Sequence, residues 1–330
     1  MLKSLVLSTL FSRWPSIPGG GPLRDGYTIL LPSPMDMPFL LRYALEGLVS
    51  MDTTHCRQIL VVPDGWGTDG GAGLREVVQN CQDSRVEMVN LSWLDYRVIH
   101  AMRPPGSAAT HWMMVVNGTK RARCQYAFLH DADAFFLESN GLERQYTECL
   151  QRGASQTDTT PGMYTLGVTP RWDPFFTQIG YQIPGTWELM YSVAWARQQA
   201  PYKLKGVKLS TPHGVTEFDS MLARQYFEYQ TGKIGVMADP PRFVHFNGTI
   251  FTYRLFRDRR GASVTDELFR ILLLALLETL VAQSGQKRVV PTVAELARGL
   301  TDPQQPVCYM GEHLPASYQK FRGELAEMAT

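Results

Sequence analysis

The chain has 330 residues, 44% hydrophobic and 19% charged, with Lys+Arg 32 against Asp+Glu 31. That hydrophobic share excludes a disordered chain and suffices to bury a full core, in one large domain or a domain with an appendage. The balanced charge excludes the field that would draw a polyanion, so no nucleic-acid partner is expected.

The opening "MLKSLVLSTLFSRW" is apolar with two basic residues and lacks a small-residue cleavage pattern, so residues 1–25 read as a leader rather than a signal peptide. A frayed or amphipathic start that touches a membrane surface fits it. After the Pro/Gly-rich "PSIPGGGPLRDG", "YTILLPSP" (27–34) is a short apolar run stopped by prolines, which predicts a buried strand. Asp36 is placed to cap a helix carrying Leu40, Leu41, Ala44, Leu45 and Leu48 on one face, with Pro38 in its first turn. "QILVVPDG" (58–65) predicts a second strand, followed by the loop "GWGTDGGAG", a helix around Leu74 to Cys81, and a third strand in "VEMVNLSW". Next, Ser107 can cap a helix with an apolar face at Ala108, Trp112, Val115, Val116 and Thr119 and basic residues at its C-terminal end. "YAFLHDADAFFL" (126–137) then supplies the strand that carries the chemistry.

The second half is less regular. "MYTLGVTPRWDPFF" and "YQIPGTWELMY" combine short strands with aromatics, "TEFDSMLARQYFEYQ" has helical spacing, and "KIGVMADPPRFVHFNG" reads as a strand, a proline turn and an extended piece ending at His245. "FRILLLALLETLVA" (269–282) is the most apolar stretch, but Arg270 and Glu278 interrupt it below the ~20 apolar residues of a membrane span, so it predicts a buried helix. The division expected is a catalytic domain over residues 26–261, with halves 26–137 and 138–261, and a helical extension over 262–330. Cys56, Cys81, Cys124, Cys149 and Cys308 are scattered and never in C-x-x-C spacing, which suggests a reducing, cytoplasmic setting and no zinc site.

Continuous apolar strands alternating with helices predict an α/β fold with a mostly parallel sheet covered on both faces, and such sheets bind ligands at the carboxyl ends of their strands. Asp131 and Asp133 interrupt an apolar run at such an end, where unpaired carboxylates are costly. Strand alternation turns both to one side, with Ala132 aside. Two carboxylates so arranged make a hard-oxygen site for Mg2+ or Mn2+, the kind of ion that binds phosphates with few protein ligands.

The strand-helix order followed by "ATHWMMVVNGTKRARCQYAFLHDADAFF" resembles glycosyltransferases of the GT-A fold, particularly the large family that includes bacterial inverting enzymes. The resemblance spans roughly residues 27–137, and its D-x-D motif matches Asp131-Ala132-Asp133. It implies a GT-A type Rossmann-like sheet and transfer of a hexosyl group from a UDP- or GDP-sugar to an acceptor hydroxyl of a saccharide, lipid or small molecule. It also implies that Asp133 ligates the metal, that Asp131 contacts ribose or reaches the metal through water, and that Asp64, with Pro32 and Ser33 beside it, contacts base or ribose. His245 stands as a further metal ligand or as a packed, hydrogen-bonded histidine, and Glu217 or Asp219 as the general base of an inverting reaction. Asp219 with Thr216 equally fits a capping box. Arg254 and Arg257 suit the pyrophosphate or a solvated loop, and Trp172, Trp187 and Glu188 an acceptor pocket or the core. Self-association is left open.

Two other readings compete. A D-x-D phosphatase would show Thr or Val after the motif, where Ala134 and Phe135 stand. A non-catalytic sugar-nucleotide or interaction module of the same fold is distinguished by losing Asp131 or Asp133, and both are present.

Overall fold

The computed structural model describes residues 22–65, 71–90, 93, 108–136, 138–154, 162–168, 183–199, 201–212, 214–241, 243–245, 250, 253, 254 and 258. The leader up to residue 21 and the expected extension over 262–330 lie outside them.

The early apolar runs form strands where expected. These are β1 (Arg24–Ser33), β2 (Cys56–Pro63), β3 (Val86–Met88, shorter than the run suggests) and β4 (Cys124–His130). They alternate with helices α1 (Pro38–Val49), α2 (Ala72–Asn80) and α3 (Ala108–Arg121). β5 (Ala134–Phe136), α4 (Gly141–Ala154), β6 (Thr165–Gly167), β7 (Glu188–Ser192) and α5 (Val193–Gln198) follow. The hairpin β8 (Val207–Thr211) and β9 (Gly214–Phe218), helix α6 (Leu222–Glu228), β10 (Ile234–Val236) and β11 (Phe243–His245), with 3-10 turns at Pro201–Leu204 and Tyr229–Thr231, complete the described elements.

Seven strands form the central sheet in the order β10-β6-β7-β4-β1-β2-β3. β4, β1, β2 and β3 run parallel, as do β6 and β10, whereas β7 runs antiparallel to both β4 and β6. The result is a mostly parallel mixed sheet flanked by helices.

Alternation along β1 explains why its run is apolar throughout. Ile29 and Leu31 enter a core shared with Leu40, Leu41 and Leu45 of α1 and Leu142 and Tyr146 of α4. Leu30 enters the opposite core, with Trp112 and Val115 of α3 and Trp195 of α5. Gly118 of α3 lies over this second face, where an added Cβ would come within 2.9 Å of a Leu30 methyl. A side chain there would force Leu30 or the helix to shift.

Two local expectations are corrected. The α1 N-cap is Met37, with no side-chain cap and Pro38 in the first turn, because the Asp36 carboxylate is held by Arg254 instead. The "TEFDSMLARQYFEYQ" segment is not one helix. Thr216 and Phe218 are buried while Val215 and Glu217 are exposed, a period of two that pairs β9 with β8. Phe218 packs with Ile183 and Leu222, and α6 begins only after Met221, whose φ of 64° makes the corner. The Thr216–Asp219 capping box therefore does not form, and Asp219 Oδ1 accepts from the Ser220 amide at 2.6 Å. Among the described residues no helix is long and apolar enough to cross a membrane.

Candidate metal and nucleotide site

β4 ends at His130, one residue before the acidic pair, so strand alternation is not what aligns the carboxylates. A turn does this, closed by the Ala134 amide donating to the Asp131 carbonyl at 3.0 Å. The chain then enters β5, which pairs antiparallel with β11 and sets His245 opposite Ala134. A residue late in the chain thus arrives beside the turn through two strands of three residues each.

His245 Nε2 lies 3.4 Å from Asp133 Oδ1 and 3.7 Å from Asp131 Oδ2. One ligand atom from each of the three residues falls within 4.8 Å of the other two. Asp133 and His245 are buried, at 6% and 5% exposure, and the Trp187 ring stacks on His245 with centroids 5.5 Å apart and planes at 8°. The Asp131 amide also donates to the Trp187 carbonyl at 3.1 Å, which ties the turn to the start of β7.

Burial raises the Asp131 carboxyl above the usual range against the pull of His111 and His245, and the Asp133 charge adds to the rise. For His245, burial alone would favour the neutral ring, but Asp133, Asp131 and Glu188 outweigh it and hold the imidazole above its ordinary value. An Asp131 carboxyl raised chiefly by burial and an imidazole drawn to its carboxylate neighbours suit a divalent cation. Two carboxylates and an imidazole suit Mn2+ and admit Mg2+ with more water in its shell.

Around this group the other expected residues divide. Ser33 is fully buried with its hydroxyl donating to the Leu31 carbonyl at 2.9 Å, and Pro32 faces Val62 in the sheet. Asp64, just past β2, accepts from the Met35 amide at 2.9 Å and from Arg254 Nη2 at 2.7 Å. Arg254 also grips Asp36 with two bonds of 2.8 Å, so this guanidinium clamps the loops after β1 and β2. Glu188, expected at an acceptor, is instead fully buried and bonded to His130 at 2.7 Å, which leaves it no access to a substrate. Glu217 is exposed and pairs with Lys208 across the β8–β9 hairpin, and Asp219 is exposed at the hairpin's end. Trp172 and Arg257 lie outside the described residues. A groove of about 880 Å³ between α1 and α2 contains none of these side chains.

Sequence reasoning missed His111, whose Nε2 stands 3.7 Å from Asp131 Oδ1, and the His130–Glu188 pair. The strand register that sets His130 opposite Glu188 would have exposed the pair. His111 carries no spacing motif, and its position on the first turn of a helix aimed at the β4 end is the only signal available.

The clamp yields a prediction. Arg254→Ala removes the guanidinium that Asp36 and Asp64 share, and is expected to destabilise the fold by about 2 kcal/mol, below the cost of breaking a fully buried pair because the group is partly exposed. Arg254→Lys recovers only part of this, since a single ammonium does not reproduce the two-sided fork. Urea unfolding midpoints of the three proteins measure it, and an unchanged midpoint for Arg254→Ala would show that the clamp holds nothing.

No protein-family model matches the chain, and no curated protein matches it. Among solved structures it is similar to a mannosyltransferase from Pyrobaculum calidifontis in complex with GDP-Man and Mn2+, at 16% identity over 99% of this chain and 93% of that one, TM-score 0.42. It is similar to the galactosyltransferase LgtC in complex with donor and acceptor sugar analogs, at 12% identity over 91% and 95% of the two chains, TM-score 0.44. A third is glucosyl-3-phosphoglycerate synthase from Mycobacterium tuberculosis in complex with Mn2+, UDP and glucosyl-3-phosphoglycerate, at 12% identity over 80% and 81%, TM-score 0.36. In this chain itself, the carboxyl end of β4 carries a partly buried Asp-x-Asp turn completed by a histidine from β11.

Proposed function

We propose that the chain is a metal-dependent glycosyltransferase that moves a hexosyl group from a UDP- or GDP-sugar to an acceptor hydroxyl, its catalytic domain spanning residues 26–261. The observation that carries the reading is the convergence of Asp131, Asp133 and His245 within 4.8 Å. That donor set lies at the carboxyl end of a central parallel strand, where sheets of this kind bind ligands.

Asp133 and His245 would hold Mn2+ or Mg2+, and Asp131 would complete the shell or meet the donor's ribose. Bound there, the ion supplies charge neutralisation for a diphosphate leaving group. The chain's own residues supply the rest. The Asp131 turn orients the ligands, Trp187 shields His245 from water, and the Arg254 clamp shapes the loops past β1 and β2, where the nucleotide would lie. Asp219 is the general base in this reading, because its exposure leaves it open to an acceptor hydroxyl. Glu188 takes a supporting role.

Calorimetric titration with UDP and then GDP, with and without Mn2+, tests the reading. Tight binding of one nucleotide that requires the metal is expected. Failure of both nucleotides to bind with metal present would overturn it, and phosphate release from small phosphoesters would then decide for the phosphatase.

A further inference from the structure

Asp131 has two oxygens, and the structure gives each its own imidazole. Oδ2 faces His245 at 3.7 Å, on the side of Asp133. Oδ1 faces His111 Nε2 at 3.7 Å, from the first turn of α3. His111 does not belong to the group of atoms that lie within 4.8 Å of one another, so it stands behind Asp131 rather than among the ligands. Both of its ring nitrogens are sealed from solvent and bonded to nothing among the described residues. A half-buried ring whose two nitrogens are both sealed and unsatisfied is costly and calls for a reason. The neighbours on α3 supply none, because Trp112 turns into the core and bonds the Pro201 carbonyl at 2.8 Å.

We infer that His111 is a positioning residue of the metal site. Its Nε2 faces the outer oxygen of Asp131 across 3.7 Å, beyond hydrogen-bond reach as it stands, and would donate to that oxygen when the ion held with Asp133 and His245 draws in the inner one. A carboxylate free to rotate would spread its charge over several orientations, and a donor on its far oxygen removes that freedom. The same contact would couple α3, which packs under β1 and β2, to the turn after β4. The inference rests on the metal-site reading above and assigns a residue outside the D-x-D and histidine set.

The test uses the full chain, with free Mn2+ counted by its paramagnetic resonance signal and Mg2+ titrated in competition. His111→Phe, which keeps a ring and loses the donor, is expected to weaken both ions by about tenfold or more. His111→Gln, which keeps an N–H, should stay within about threefold of the wild-type chain. His111→Ala serves as a second donor-free variant, so that a misfit of the phenyl ring does not decide the result. Melting curves of all three report the fold. Wild-type affinity in the Phe and Ala variants overturns the inference and leaves the metal site standing. A loss confined to Mn2+ makes His111 a ligand in its own right and overturns the positioning role. A wild-type chain that takes up no Mn2+, even with UDP or GDP present, overturns the metal-site reading and this inference with it.

Discussion

Asp133→Asn will weaken metal-dependent nucleotide binding about 100-fold or more, equal to about 2.8 kcal/mol, while the melting temperature of the metal-free protein stays level or rises. The two outcomes have one cause. Asp133 is buried between Asp131 and His245, and two carboxylates held this close repel each other unless a cation joins them. Asparagine keeps the volume of the side chain and removes one of the two negative charges. Without metal that change relieves repulsion, and with metal it removes a ligand whose charge the ion needs. Calorimetry with UDP and GDP, with and without Mn2+, together with thermal melting in chelator, reads both sides at once. Metal-dependent affinity that survives in Asp133→Asn would sink the assignment of this turn as the metal site. A lowered melting temperature would mean that the carboxylate serves the fold through bonds a metal does not replace.

The parts of the fold legible in the sequence are those with a local signal. β1, β2 and β4 announce themselves as unbroken apolar runs because both faces of the sheet are covered, and α3 by the spacing of Trp112, Val115 and Val116. The acidic pair was visible for the same reason, as charges breaking a run that should be buried. What was not legible depends on pairing over long distances. His245 is named only through the family resemblance, because it reaches the turn through the pairing of β5 with β11, strands too short to have a pattern of their own. Arg254 meets Asp36 and Asp64 from a distant segment, so the cap expected of Asp36 lost to an ion pair that no window around it contains. The spacing of Phe218, Leu222 and Tyr226 fits a helix, but the available partner β8 draws Phe218 into a hairpin, a case of neighbours overriding local preference.

The second large effect lies one residue before the metal turn. Glu188 is wholly buried, its Oε2 is 2.7 Å from His130 Nδ1, and its Oε1 has no hydrogen-bond partner among the described residues. Burial pushes this carboxyl up to about 7, against the opposing pull of the His130 ring. The sign follows from where the proton binds more tightly. With a folded value above the unfolded 4.5, the native state holds the proton better, so the stability from this group is fully present below about pH 4.5 and is lost as pH rises through about 7. The loss is on the order of 3 kcal/mol. Glu188→Gln carries no titrating proton and still reaches His130, so its stability should fall less steeply than the wild type's over pH 5 to 8, the remaining slope coming from Asp131 and His245. His130→Ala removes the partner from a fully buried acid and should cost about 3 kcal/mol or more near neutral pH, with a steeper decline above it. Urea unfolding at a series of pH values in chelator separates these outcomes, and parallel pH profiles for wild type and Glu188→Gln would exclude Glu188 as the titrating group. Because the pair fastens the last residue of β4 to the first of β7, the strand whose approach brings the Trp187 carbonyl to the Asp131 amide, its loss should loosen the turn as well as the sheet. His130→Ala should therefore bind Mn2+ more weakly even at a pH where it remains folded.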